Sequence, residues 1–157
     1  MALVGLVVTG QIILPLVALF SPLLKWAQYQ NPLSALAWFG ALTMAAGVWL
    51  FWRSHADLGE NWSVTLEVQK EHKLVSGGVY RNVRHPMYAS FFLMAIGQLL
   101  LLQSVFAGPS ALVAVALLYV IRKPHEEAML LELFGEQYQR YMNSTGGILP
   151  KLGVSDA

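Results

Sequence analysis

Three long runs of this chain carry no charged residue: 1–24, 26–52 and 86–121. A helix needs about 20 consecutive apolar residues to cross roughly 30 Å of hydrocarbon. The first two runs each suit one crossing. The third has 36 residues, and as one helix it would be about 54 Å long at 1.5 Å per residue. It is best divided at Gly108 and Pro109, because glycine ends helices and proline starts them. The pattern therefore predicts four spans, near 3–22, 33–52, 87–106 and 110–123, the last of them short. The first run lacks the basic n-region and the small-x-small cleavage site of a signal peptide, and it reads as a span.

The polar segments lie at 53–85 and 122–157. The first is expected to extend the second span as far as a break at Gly59. Residues 62–68 alternate like a short strand. Ser76, Gly77 and Gly78 form a turn signal. His85 and Pro86 mark a helix start, with Pro86 at the first helical position. Pro124 is expected to start or re-aim a helix that runs to Phe134 and ends at Gly135. Glu126 and Glu127 then fall in its first turn, near the positive end of the helix dipole. Tyr138 and Tyr141 sit one turn apart, and 143–147 reads as loop.

Composition agrees with a membrane protein. The chain has 157 residues, 56% hydrophobic and 12% charged, with mean hydropathy +0.52. An ordinary soluble domain carries about 25% charged residues. The expectation is an all-α integral membrane protein, one domain over 1–157, embedded in a lipid bilayer. Four spans put Arg53, Lys70, Lys73, Arg81, Arg84, Arg122, Lys123, Arg140 and Lys151 on one side and Lys25 on the other. That asymmetry places both termini and the two polar segments in the cytoplasm. The net charge of +1 gives no reason to expect a nucleic-acid partner. The absence of cysteine removes disulfides, thiolate metal sites and a cysteine nucleophile. Oligomeric state is not legible.

No P-loop or dinucleotide fingerprint is present. His55, His72, His85 and His125 form no i, i+4 pair, so no metal site is expected. Gly5 and Gly10 do not make a small-xxx-small dimer face. Two clusters remain: Arg84-His85-Pro86-Met87-Tyr88 and Arg122-Lys123-Pro124-His125-Glu126-Glu127. Each has a plain reading, with basic residues anchoring helix ends, Tyr88 in an interfacial belt and the prolines starting helices. Their convergence argues for more. Both fall at the same membrane boundary, on the two arms of a hairpin, where opposite charges and an imidazole can meet in one pocket. Ionisable groups at membrane depth are costly unless they are used or paired.

The order and spacing of these residues resemble a known family. His55, Trp62-Ser63, His72-x-Leu74-Val75-x-x-Gly78-x-Tyr80 and Arg84-His85-Pro86-x-Tyr88 are followed by Arg122-x-Pro124-x-Glu126-Glu127, Phe134-Gly135-x-x-Tyr138-x-x-Tyr141 and Pro150. The pattern, over roughly 50–150, resembles the isoprenylcysteine carboxyl methyltransferases in their short prokaryotic form. The resemblance implies a multi-pass membrane methyltransferase that uses S-adenosylmethionine and releases S-adenosylhomocysteine. Its pocket would be cytosolic, formed by the loop before the third span and the helix after the fourth. His72, Lys73, Leu74, Val75 and Tyr80 would line the adenosine side. His85, Pro86, Met87 and Tyr88 would hold the cofactor near the membrane opening. Glu126 would pair with its ammonium, and Arg122 would hold the carboxylate of a lipid-like or lipidated acceptor.

Two features depart from the family pattern, Gly146-Gly147 before Ile148 and the cation Lys123, and both lie toward the acceptor or tail side. Other acceptors stay open on the same fold: a phospholipid amine or a thiol. An amine acceptor would need a base, for which His125, Glu127 or His85 are candidates. A nicotinamide-dependent membrane reductase and a non-catalytic membrane scaffold are the remaining alternatives.

Overall fold

In the computed structural model, residues 2–22, 34–59, 73–102 and 104–151 are described. Among them the fold is helical. The first helical stretch, α1, comprises Ala2–Val8, a π-helical segment Thr9–Ile13 and Leu14–Phe20. It is followed by α2 (Ser34–Leu58), α3 (Pro86–Leu101), α4 (Ala107–Phe134) and α5 (Glu136–Ser144). A 3-10 turn over Gly78–Arg81 precedes α3. Among the described residues three helices are long and apolar enough to cross a membrane: Leu3–Phe20, Ala35–Leu58 and Ala107–Phe134. The shorter Pro86–Leu101 is apolar as well.

Several local signals are realised. Pro86 opens α3, where its missing N–H leaves nothing unpaired. Gly59 follows the end of α2 at φ 54°. Gly135 closes α4 at φ 51°, in backbone space that a side chain disfavours, and turns the chain back into α5. Other boundaries shift. The third span ends at Leu101 rather than 106, and α4 starts at Ala107, so Gly108 and Pro109 lie in its first turn. Proline is tolerated there because first-turn N–H groups have no partner to lose.

Pro124 does not start a helix; it lies inside the 28-residue α4. A proline in a helix interior removes one backbone bond. In the same turn His125 Nδ1 lies 2.8 Å from the Ile121 carbonyl oxygen. The helix that holds the fourth expected span is therefore longer than that span. Its charge-free part, 107–121, continues without interruption into 122–134, which carries Arg122, Lys123, Glu126, Glu127 and Glu132. Asn143 and Ser144, expected in a loop, complete α5. The strand expected at 62–68 lies outside the described residues.

α2 and α3 form the most extensive helix pair, and glycines let them approach. A Cβ on Gly97 would sit 2.9 Å from Met44 Cβ and 3.0 Å from the Gly40 carbonyl oxygen. One on Gly47 would sit 2.8 Å from Met94 Cγ. Small residues at such crossings replace a hydrophobic driving force that lipid does not supply. α1 joins the bundle through polar contacts. Gln98 Nε2 donates to the Gly10 carbonyl at 2.9 Å and to the Ala107 carbonyl at 2.7 Å. Ser110 Oγ donates to the same two carbonyls at 3.0 Å each. The π-helical segment at Thr9–Ile13 presents the Gly10 oxygen to them. Around this network Val7, Ala95, Ala111, Ala114, Val115 and Leu118 form the core, with Tyr88 at its site end.

The α2–α3 contact makes a direct prediction. Gly97→Val forces methyl groups against Met44 and the Gly40 backbone, and overpacking of this kind costs about 1–3 kcal/mol. In a thermal-unfolding assay on detergent-solubilised protein the midpoint should fall by at least about 3 °C. An unchanged midpoint would contradict the close approach of the two helices.

Candidate functional site

The site is assembled from the loop before α3, the first turn of α3, the charged part of α4 and the tail after α5. Its first anchor is at the end of α2. Asp57 pairs with Arg53 at 2.8 Å and accepts a hydrogen bond from the Val79 backbone N–H at 2.9 Å. Gly78 sits at φ 59°, and a Cβ there would lie 2.1 Å from Asp57 Oδ2. The glycine signal read in the sequence is thus doubly required, by backbone angle and by the carboxylate beside it.

Tyr80, in the 3-10 turn, is buried. Its hydroxyl donates to the Ser54 carbonyl at 3.4 Å, and its own carbonyl accepts from the Tyr141 hydroxyl at 2.5 Å. Burial, reinforced by the negative charge of Asp57, raises the Tyr80 phenol well above its ordinary range. The Tyr80 hydroxyl is therefore engaged with α2. Lys73, Leu74 and Val75 precede the turn without regular structure, Lys73 exposed and the other two half-buried. His72 lies outside the described residues.

The second anchor is Glu127. Arg84 Nη2 reaches Glu127 Oε1 at 2.9 Å, His85 Nε2 reaches the same oxygen at 3.1 Å, and Lys123 Nζ reaches Oε2 at 2.7 Å. Burial works against the charge of this carboxylate. Hydrogen bonds from Lys123, Arg84 and His85 outweigh it and hold its pKa down at about 2. Burial also pulls His85 below the ordinary imidazole value, although Glu127 acts in the opposite direction. A neutral imidazole beside a carboxylate must donate. The proton therefore sits on Nε2, and Nδ1 carries a bare lone pair.

Arg84 does more than pair with Glu127. Its Nη1 donates to the Met142 carbonyl at 3.1 Å and to the Thr145 carbonyl, both at the end of α5. The backbone continues the attachment. Arg84 N–H donates to the Gly146 carbonyl at 2.8 Å and His85 N–H to the Gly147 carbonyl at 3.0 Å, around a parallel bridge between Val83 and Gly146. Tyr138 and Tyr141 fix α5 from its buried face. Burial, with the nearby Glu127 charge, pushes the Tyr138 phenol up to about 12. The tail contact was missed by sequence reasoning. The sequence marks Gly146 and Gly147 as loop and as a departure from the family pattern, not as partners of Arg84 and His85.

The third element joins the two sequence clusters directly. The Tyr88 hydroxyl donates to Glu126 Oε1 at 2.7 Å, and Arg122 Nε lies 3.2 Å from the same oxygen. Met87 is half-buried beside the buried Pro86. Tyr119, which sequence reasoning did not single out, meets the rings of Tyr88 at 5.4 Å and His85 at 6.3 Å. The structure thus brings together Arg84, His85, Tyr88, Arg122, Lys123, Glu126 and Glu127. Tyr80 stands one layer away, on the α2 side.

Comparison with known proteins places this arrangement. Residues 35–137, more than half of the chain, match the family model for phospholipid methyltransferase. A probable protein-S-isoprenylcysteine O-methyltransferase of Oryza sativa subsp. indica is 33% identical over 91 residues, covering 55% of this chain and 46% of that protein. The Homo sapiens protein-S-isoprenylcysteine O-methyltransferase is 33% identical over 94 residues, covering 59% of this chain and 33% of its own length. The solved structure of a eukaryotic intramembrane Ras methyltransferase, an isoprenylcysteine carboxyl methyltransferase, superposes with a TM-score of 0.71 at 28% identity. That superposition covers 94% of this chain and 51% of the other. The chain spans about half the length of these relatives or less. The motif resemblance to isoprenylcysteine carboxyl methyltransferases is borne out, and by the extent of the family match the chain belongs to the phospholipid methyltransferase family.

Proposed function

We propose that this protein is an S-adenosylmethionine-dependent membrane methyltransferase that O-methylates the carboxylate of a lipidated, isoprenylcysteine-like or small hydrophobic acid. The observation that carries the proposal is the 2.7 Å contact between Tyr88 and Glu126. It closes two sequence-distant polar clusters into one site at the ends of charge-free helical stretches. The relatives named as isoprenylcysteine O-methyltransferases support the acceptor class. The proposed topology has four spans, with both termini and the pocket in the cytoplasm.

The residues present fit the cofactor. Tyr88 and Arg122 both meet Glu126 on Oε1. A carboxylate accepts about four hydrogen bonds, so Glu126 has capacity for an ammonium. The His85 Nδ1 lone pair suits a donor such as an ammonium or a ribose hydroxyl. The cofactor's carboxylate is better served by the backbone N–H groups at the start of α3. Leu74, Val75 and the Tyr80 ring would supply apolar surface for the adenine, with Lys73 exposed beside them. Met87, half-buried, and the buried Pro86 behind it would hold the cofactor near the membrane opening.

S-adenosylmethionine supplies an electrophilic methyl group on a positively charged sulfur; transfer to an ionised carboxylate forms a C–O bond as the C–S bond breaks, and no proton moves. No general base is needed. The protein's work is alignment and the exclusion of water. Arg122, held at its Nε by Glu126, keeps its other N–H groups for the acceptor carboxylate. The cations Arg122 and Lys123 at this edge disfavour a positively charged amine acceptor, although the family is described as phospholipid methyltransferase.

Three outcomes test the assignment. Calorimetry with S-adenosylhomocysteine on detergent-purified protein should give binding that weakens at least about tenfold in Glu126→Ala and in Tyr88→Ala, the loss expected for a charge-assisted hydrogen bond. Unchanged affinity in both would remove the pocket assignment. Arg122→Ala should leave that affinity within about twofold and raise the acceptor KM at least about tenfold for a prenylated cysteine analogue. Parallel loss of both would merge the two roles. Glu127→Ala should act first on folding, by about 3 kcal/mol, because it strands Arg84 beside a buried imidazole. A full-stability Glu127→Ala protein in a denaturant titration would refute the clamp.

A further inference from the structure

Tyr119 stands in the site without a role in the reading so far. It lies three residues before Arg122 and seven before Glu126, which puts all three on one face of α4. Its ring is fixed by edge contacts with Tyr88, His85 and Phe92, the last at 5.9 Å. Among the described residues its hydroxyl has no hydrogen-bond partner, although the side chain is half-buried. That leaves the hydroxyl free to donate to what enters the site.

The tail shapes the space around that hydroxyl. A Cβ on Gly147 would lie 3.2 Å from the Tyr119 hydroxyl oxygen. Gly147 is not among the glycines with positive φ, so its backbone would accept a side chain. What a side chain there would press on is the phenol, which would have to give by a few tenths of an ångström. Gly146 has a different reason for its identity: a Cβ there would meet the Leu149 carbonyl oxygen. The backbone hydrogen bond from His85 N–H to the Gly147 carbonyl holds the tail in register with the site. Ile148 and Tyr119 both pack against the core. This glycine pair is the departure from the family pattern noted in the sequence.

We propose that the Tyr119 hydroxyl, seated in the space left by Gly147, donates a hydrogen bond to the acceptor's carboxylate beside Arg122 and so positions the oxygen that is methylated. The inference rests on the methyltransferase reading above and adds to it the group that orients the acceptor. Arg122 supplies the charge, on a flexible stem. Tyr119 supplies a neutral donor on a ring that three aromatic neighbours hold still. One oxygen of the carboxylate is held by the two donors, and the other faces the methyl group.

Steady-state kinetics with a prenylated cysteine analogue, together with S-adenosylhomocysteine calorimetry, test this on Tyr119→Phe, Gly147→Ala and the double variant. Tyr119→Phe should raise the acceptor KM at least about fivefold, with cofactor affinity changed less than about twofold. In Gly147→Ala the added Cβ must displace the hydroxyl by a few tenths of an ångström, and the acceptor KM should rise in the same direction. In the Tyr119→Phe background the alanine should add less than about twofold, because the atom it pushes is gone. An unchanged acceptor KM in Tyr119→Phe would overturn the proposal even if Gly147→Ala fails to fold. Equal losses of cofactor and acceptor affinity would overturn it too, by moving the hydroxyl to the cofactor. Full additivity of the two substitutions would break the link between Tyr119 and the tail. Wild-type protein that binds no S-adenosylhomocysteine would remove the methyltransferase reading itself, a result distinct from any of these.

Discussion

The Glu127 carboxylate is the constraint on which the rest of the site depends. It collects Arg84, His85 and Lys123 within 2.7–3.1 Å. Three donors from two elements converge at one point between α3 and α4. A carboxylate so paired remains ionised through any ordinary pH, so the attachment does not switch. The imidazole it holds stays in one tautomer, and the guanidinium it holds is free at its other end to fasten the tail. The neighbouring Glu126 is different. Its contacts with Tyr88 and Arg122 share a single oxygen, which leaves it the more adaptable of two adjacent acids. One glutamate builds the frame, and the next can serve what enters it.

Much of the helical layout was legible because charge is scarce. Where no charge occurs for 20 residues or more, the pattern leaves few choices, and α1, α2 and α4 follow it. The hairpin between α3 and α4 was legible in kind, yet its break falls at 102–106 rather than at Gly108 and Pro109. Proline and glycine mark the start of a helix as readily as its end, and one sequence does not separate the two. Pro124 misleads for a related reason. Local preference argues for a helix start, but flanking turns pin the backbone and carry the helix through.

The site was legible as two clusters and illegible as a network. Tyr88 with Glu126, and His85 with Glu127, follow once α3 and α4 are antiparallel neighbours. Nothing in residue order says that Arg84 would reach the carbonyls that end α5, or that Asp57 would cap the Val79 N–H. Those are contacts to backbone, which has no sequence signature. The glycines that matter most, Gly40, Gly47 and Gly97, also escape pattern reading. They are spaced across two helices, and neither helix alone shows the close approach.

The length of α3 has a consequence for how an acceptor reaches the site. Sixteen residues at 1.5 Å each make a rod about 24 Å long, against roughly 30 Å of hydrocarbon. In a bilayer the rod stops short of one surface unless the lipid thins to meet it. Set flush with the far surface, it would leave its polar end, with Tyr88 in the first turn and His85 capping it, below the headgroups. On the function proposed above, a prenyl-bearing acceptor would then not have to climb out of the leaflet to react; its reactive end need only sink a few ångströms while its chain stays where it already is.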